Sequence, residues 1–183
     1  MAMKVTILDA SSEKDADLQN YVTWLTCSLK QKNVEVKHFP LPEMHIKYCI
    51  GCWDCWWKTP GECVHKDDMV KVYPEIVRSD WLIFVSPLIA GFVSSTLKKV
   101  NDRMVALIHP YLKIIQGECH HRRRYSHYPA MGMMLEPEKD TDDQDLEIVS
   151  AIYQRLALNF HSVLHFVRTT EENQEDVLKE IIN

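Results

Sequence analysis

The sequence predicts an α/β domain: a doubly wound, parallel, five-stranded sheet in the order 2-1-3-4-5, with helices on both faces. Three observations predict it. Five short apolar or β-branched runs read as strands, and amphipathic helical periods fill the gaps between them. The length of 183 residues fits one compact domain, taken as residues 1–183, with room for a core but little for a second unit. Parallel neighbours need right-handed helical crossovers, which is what that alternation supplies.

Lys4 to Asp9 is the first strand, and Leu18, Val22, Leu25 and Leu29 mark a helix over roughly residues 14–32. Val34 to Phe39 alternates as a second strand, stopped by Pro40 and Pro42. A long irregular segment, about 45–66, then carries four cysteines. Asp67 and Asp68 open a helix faced by Met69, Val72, Tyr73 and Ile76, with Pro74 expected to break or kink it. Trp81 to Ser86 is the third strand. Leu97, Val100, Met104, Leu107 and Ile108 give a helix capped by Ser94 or Ser95 and ended by Pro110. Residues 110–128 read as irregular, and Ala130 to Leu135 as the fourth strand. Leu146, Val149, Tyr153 and Leu156 mark a helix, Ser162 to Arg168 the fifth strand, and the tail from Glu171 a last helix. In such a sheet the ligand crevice lies beyond the carboxyl ends of the strands. That assigns it to the loops 9–17, 86–93 and 136–145.

A formal net charge of −5 argues against sequence-independent nucleic-acid binding, which needs clustered cations. No stretch approaches bilayer-spanning length, and the short N-terminal apolar run turns acidic at Asp9, unlike a secretory signal. The expected compartment is therefore the cytoplasm, with no membrane partner. Thiols stay reduced there, so clustered cysteines point to metal or redox chemistry before structural disulfides.

Cys49, Cys52, Cys55 and Cys63 follow the pattern C-x2-C-x2-C-x7-C. Four thiolates suit an iron–sulfur cluster or zinc. Cysteine also packs as a small hydrophobe, and a C-x-x-C pair can form a redox disulfide, so three readings stand. Trp53, Trp56 and Trp57 crowd the same segment; a subunit interface is their expected home, which implies a homodimer or higher homo-oligomer. The basic patch holding His120, His121, Arg124 and Tyr125 is a candidate for phosphate or substrate contact, with a solvated loop as the plain alternative. The remaining histidines outside that patch carry no assigned role.

The run Cys49-Ile-Gly-Cys52-Trp-Asp-Cys55-Trp, then Thr59-Pro-Gly-Glu-Cys63 and Lys66-Asp-Asp-Met69, resembles the flavodoxin-like NAD(P)H-dependent FMN reductases, including their iron–sulfur flavoprotein branch. Ser86-Pro87 with Gly91, the segment from Leu97 to Arg103, and Gly117-Glu-Cys-His-His121 with Arg124-Tyr125 carry it further. The resemblance implies a flavodoxin-like fold and FMN at the strand ends. Ser11, Ser12 and Lys14 would sit at its phosphate, with Ser86, Pro87, Leu88 and Gly91 along its ring. It implies NAD(P)H as co-substrate and quinone, nitro, azo or flavin acceptors. In one branch a [4Fe–4S] cluster is held by Cys49, Cys52, Cys55 and Cys63. The flavin carries the chemistry, so no catalytic side chain is assigned. The first loop departs from the family pattern, with no glycine and four carboxylates: Asp9, Glu13, Asp15 and Asp17. Ile89-Ala90 replaces an aromatic, and the third loop is acidic. The leading expectation is an FMN-dependent NAD(P)H oxidoreductase. An iron–sulfur electron carrier and a scaffold that has lost its cofactor are the alternatives.

Overall fold

A computed structural model gives the structure of residues 2–182. Its main sheet is built from β1 (Lys4–Asp9), β2 (Glu35–Pro40), β3 (Trp81–Ile89), β7 (Ala130–Glu136) and β8 (Leu164–Thr169), all parallel, in the order β2-β1-β3-β7-β8. This is the expected 2-1-3-4-5 order. A two-residue strand, β4 (Phe92–Val93), turns back antiparallel on the end of β3.

The strands alternate in which face they bury. Val5, Ile7, Ile83, Val85 and Met134 pack under α1 (Ala16–Gln31) and α6 (Gln174–Ile182). Leu8, Leu82, Phe84, Met133 and Leu135 pack under α3 (Met69–Arg78), α4 (Ser95–Arg103) and α5 (Asp143–Asn159). Period-two alternation in a strand sandwiched between two helical layers leaves both faces apolar. Each fully buried aliphatic side chain here contributes roughly 1.5–3 kcal/mol over exposure. Among the described residues, no helix is long and apolar enough to cross a membrane.

Three local expectations are corrected. Residues 110–128 are not wholly irregular: β5 (Ile108–Ile115) and β6 (Glu118–Arg123) form a separate antiparallel hairpin. Gln116 and Gly117 make its two-residue turn, both at positive φ (51° and 83°), as a type I′ turn requires. The pattern was illegible because much of β5 is exposed, so burial imposes no alternation on it. The helix expected to reach Ile108 ends at Arg103 and tightens to a 3₁₀ turn over Met104–Leu107. Side chains from elsewhere take the carbonyls there: Tyr73 bonds Arg103 O at 3.0 Å, Trp56 Nε1 bonds Val105 O at 3.0 Å, and Tyr128 bonds Leu107 O. Pro74 does not break α3. Its missing N–H forfeits only a bond to the carbonyl of Val70, a half-exposed residue whose carbonyl water can serve.

Candidate functional site

The three expected loops meet at the carboxyl ends of β1, β3 and β7 around a crevice of about 470 Å³. The strand order reverses between β1 and β3, so the crevice sits at the topological switch point. Of the residues expected there, Ser12, Lys14, Pro87 and Leu88 line it. Ile89, Glu136 and Glu138, within the expected loops, also line it, as do Pro42, Ser95 and Thr96, which lie outside those loops. The run Ser94-Ser95-Thr96 opening α4 was the available signal.

The second loop owes its shape to three contacts. Ser86 is fully buried; its Oγ accepts the Ser94 N–H at 2.9 Å and lies 2.8 Å from the Pro87 carbonyl. It braces the loop from beneath and is not part of the crevice lining. Ala90 and Gly91 turn the chain from β3 into β4 at φ 51° and 71°. Gly91 is doubly required, since a Cβ would stand 2.3 Å from Asp145 Oδ1. The acidic third loop holds this turn in place: Glu138 Oε2 accepts the Ala90 N–H at 2.7 Å. Asp142 and Asp145 form a reciprocal capping box at the start of α5.

The first loop is closed on itself. Ser11 N–H donates to Asp9 Oδ1 at 2.9 Å, and Asp9 Oδ2 meets His38 Nε2 at 2.8 Å. Ser12 N–H and Oγ–H both donate to Asp15 Oδ2, at 2.7 and 2.8 Å. Ser11 lines an adjacent cavity instead of the crevice. Burial, with Asp15 and Asp17 nearby, pushes the Glu136 carboxyl above its ordinary range. Lys14 is the one cation among the described lining residues, against Asp15, Glu136 and Glu138. The apolar side of the crevice, where Pro87 and Ile89 face outward on the same side of β3, suits the flat face of an isoalloxazine ring. A phosphate at Ser11 and Ser12 does not fit, because their N–H groups are already bonded to the carboxylates of Asp9 and Asp15.

The four cysteines line a second cavity of about 300 Å³, which shares no lining residue with the crevice. All four are free thiols. Burial, with Cys63, Cys49 and Cys52 adding to it, pushes the Cys55 thiol up to about 11. Among the described residues, no three Cys, His, Asp or Glu side chains converge as a ligand set. The segment is anchored through α3. Asp68 Oδ2 accepts the His45 N–H at 2.8 Å, and Asp67 Oδ2 accepts the Lys47 N–H at 2.9 Å. On the one-turn helix α2 (Asp54–Trp57), Trp56 points inward to Val105 O with Trp53 stacked on it at 4.7 Å, whereas Trp57 is 65% exposed.

The basic patch is not brought to the crevice. His120 is buried on β6, 3.2 Å from Glu118; His121 Nδ1 donates to His109 O at 2.7 Å and its ring packs on Trp56. Arg124 Nη2 donates to Ile108 O at 3.1 Å, and Tyr125 lines a third cavity beside Cys63 and α3. The bonds of His120, His121 and Arg124 hold the hairpin together, and the His121 ring on Trp56 reaches from it to the cysteine segment. The clustering of these residues in sequence reflects one strand and its exit turn.

A family model described as NADPH-dependent FMN reductase matches residues 3–136. Curated relatives include an iron–sulfur flavoprotein of Methanocaldococcus jannaschii, 36% identical over 89 residues, and one of Clostridioides difficile, 30% identical over 104. The matches cover 49% and 55% of this chain, and span only 44% and 45% of those proteins' own lengths. Among solved structures, RosB with a bound 8-demethyl-8-formylriboflavin-5'-phosphate intermediate superposes with a TM-score of 0.70 at 10% identity, covering 100% of this chain and 77% of RosB. An azoreductase from Bacillus anthracis gives 0.63 at 13% identity, covering 98% and 93%. At these identities the structural likenesses speak to the fold alone.

Proposed function

Because the chain belongs to the NADPH-dependent FMN reductase family, we propose that it is a flavin-dependent oxidoreductase, passing reducing equivalents from NADH or NADPH to a small quinone, nitro, azo or flavin acceptor. One observation carries this reading: the crevice at the switch point, walled by Pro87, Leu88 and Ile89 and open to solvent. A flavin bound there supplies the two-electron chemistry itself. The chain's own part is to hold and orient the ring. Pro87 and Ile89 give it an apolar wall, Ser86 and Glu138 keep the β3–β4 turn rigid, and Ser95 and Thr96 offer hydroxyls at the rim. No side chain of the crevice is needed as an acid or base.

The test is an absorption spectrum of the chain purified without air and supplied with flavin, before and after adding NADH or NADPH. Retained flavin bands that bleach on addition support the reading. Failure to retain any flavin at micromolar concentration removes it.

A second reading, electron transfer through a cluster held by Cys49, Cys52, Cys55 and Cys63, is favoured by their opening onto one cavity. The segment would have to draw the thiols together to bind iron. Iron and sulfide content, lost on Cys55→Ser, is its test. We further read the chain as a cytoplasmic homodimer joined through the exposed Trp57 and Ile50.

A further inference from the structure

Loops that hold phosphate present unsatisfied backbone N–H groups at a helix N-terminus. After β1 the N–H groups of Ser11 and Ser12 are already used within the chain. Asp15 Oδ2 accepts two donors from Ser12, at 2.7 and 2.8 Å, which is the part a phosphate oxygen would otherwise play. Asp9 takes the Ser11 N–H and is itself held by His38. In the second loop, Glu138 takes the Ala90 N–H. Three carboxylates and one lysine line the crevice, so a phosphate dianion entering it meets net repulsion at short range.

One carboxylate oxygen of the crevice lacks a donor. Glu136 Oε2 is buried with no partner among the described residues, and burial beside Asp15 and Asp17 pushes its carboxyl above the ordinary range. Ser11, 5% exposed, has an Oγ that is likewise unpartnered among the described residues, in the adjoining cavity. A buried carboxylate oxygen without a donor is costly, and a polyol hydroxyl is a donor that a phosphate is not.

Resting on the flavin reading above, we propose that this crevice selects a flavin whose ribityl chain ends in a free hydroxyl, the riboflavin class, over its phosphorylated form. The ring packs on Pro87 and Ile89, and the polyol hydroxyls donate to the carboxylates of Asp15 and Glu136. Asp15 is the residue that excludes phosphate.

The chain is titrated separately with riboflavin and with FMN, following flavin fluorescence and checking bound flavin by ultrafiltration. Riboflavin is expected to bind at least about tenfold more tightly than FMN. Asp15→Ser frees the Ser12 donors and is expected to tighten FMN about tenfold while moving riboflavin less than about threefold. Asp15→Asn removes the charge but keeps the size of the side chain and an acceptor for Ser12, and is expected to move the ratio the same way should the serine variant fold poorly. FMN binding as tightly as riboflavin, or more so, overturns the selectivity and leaves the flavin reading standing. Binding of neither flavin up to roughly millimolar concentration overturns both. A ratio unchanged in both variants overturns the role of Asp15.

Discussion

The guanidinium of Arg103 meets the carboxylate of Asp67 fork to fork, at 2.8 and 3.0 Å, with side-chain exposures of 0% and 3%. The pair joins the end of α4 to the approach of α3, and Arg103 Nη1 also donates to Lys47 O at 2.8 Å. The floor of the cysteine cavity therefore rests on it. Asp67→Asn strands a buried cation and is expected to cost about 3–5 kcal/mol, read as a lower urea midpoint. A loss below about 1 kcal/mol would show the pair to be dispensable.

The same pair sets an acid dependence. Burial alone would push the Asp67 carboxyl upward, but the bonds from Arg103 and from the Lys47 and Met69 N–H groups outweigh it and hold it at about 2, below its ordinary 3.8. The folded value lies below the unfolded one, so the stability from this group is complete above about pH 4 and is lost as pH falls toward about 2. Urea midpoints measured across that window should drop in the parent chain and drop less in Asp67→Asn. Parallel curves would place the acid sensitivity elsewhere.

Gly91→Ala adds a Cβ at φ 71° and 2.3 Å from Asp145 Oδ1. Strain of this kind costs about 1–3 kcal/mol, so the melting temperature should fall by several degrees. Combining it with Asp145→Gly removes the clash and not the φ cost, and should recover part of the loss. No recovery would mean that the turn, and not the approach of α5, dictates glycine.

Alkylation should rank the cysteines. With its thiol pushed up to about 11 and its side chain buried, Cys55 is a poor nucleophile near neutrality. At about pH 8 only about a thousandth of it is thiolate. Mass spectrometry after timed iodoacetamide treatment should find Cys49 and Cys52, both exposed, labelled well before Cys55. Labelling of Cys55 first would contradict the burial described.

Trp57→Glu tests the proposed subunit contact. Light scattering should give a dimer for the parent chain and a monomer for the variant, with melting temperature little changed because Trp57 is exposed within one chain. A monomeric parent chain would end that reading.

The order of the main strands, their parallel pairing and the three crevice loops were all legible from local pattern. A buried strand such as Trp81 to Val85 is apolar throughout, and a helix such as α1 repeats leucines at its own period; both signals lie within a few residues. The cysteine spacing left three readings open, and only the structure shows the four thiols lining one cavity. The β5–β6 hairpin left no such trace, since an exposed ribbon needs no apolar alternation. The end of α4 was misjudged because the groups that take its last carbonyls come from Tyr73, Trp56 and Tyr128, all distant in sequence.

By itself the sequence determined a doubly wound domain with an acidic first loop and a four-cysteine segment. Only the tertiary structure decided what those charges do. Asp15 turns onto Ser12, Glu138 onto Ala90 and Asp67 onto Arg103, the last two across 48 and 36 residues. Secondary structure follows from short-range periodicity and is written locally. A hydrogen bond between side chain and distant backbone depends on how the whole sheet brings its loops together, and no local pattern encodes that.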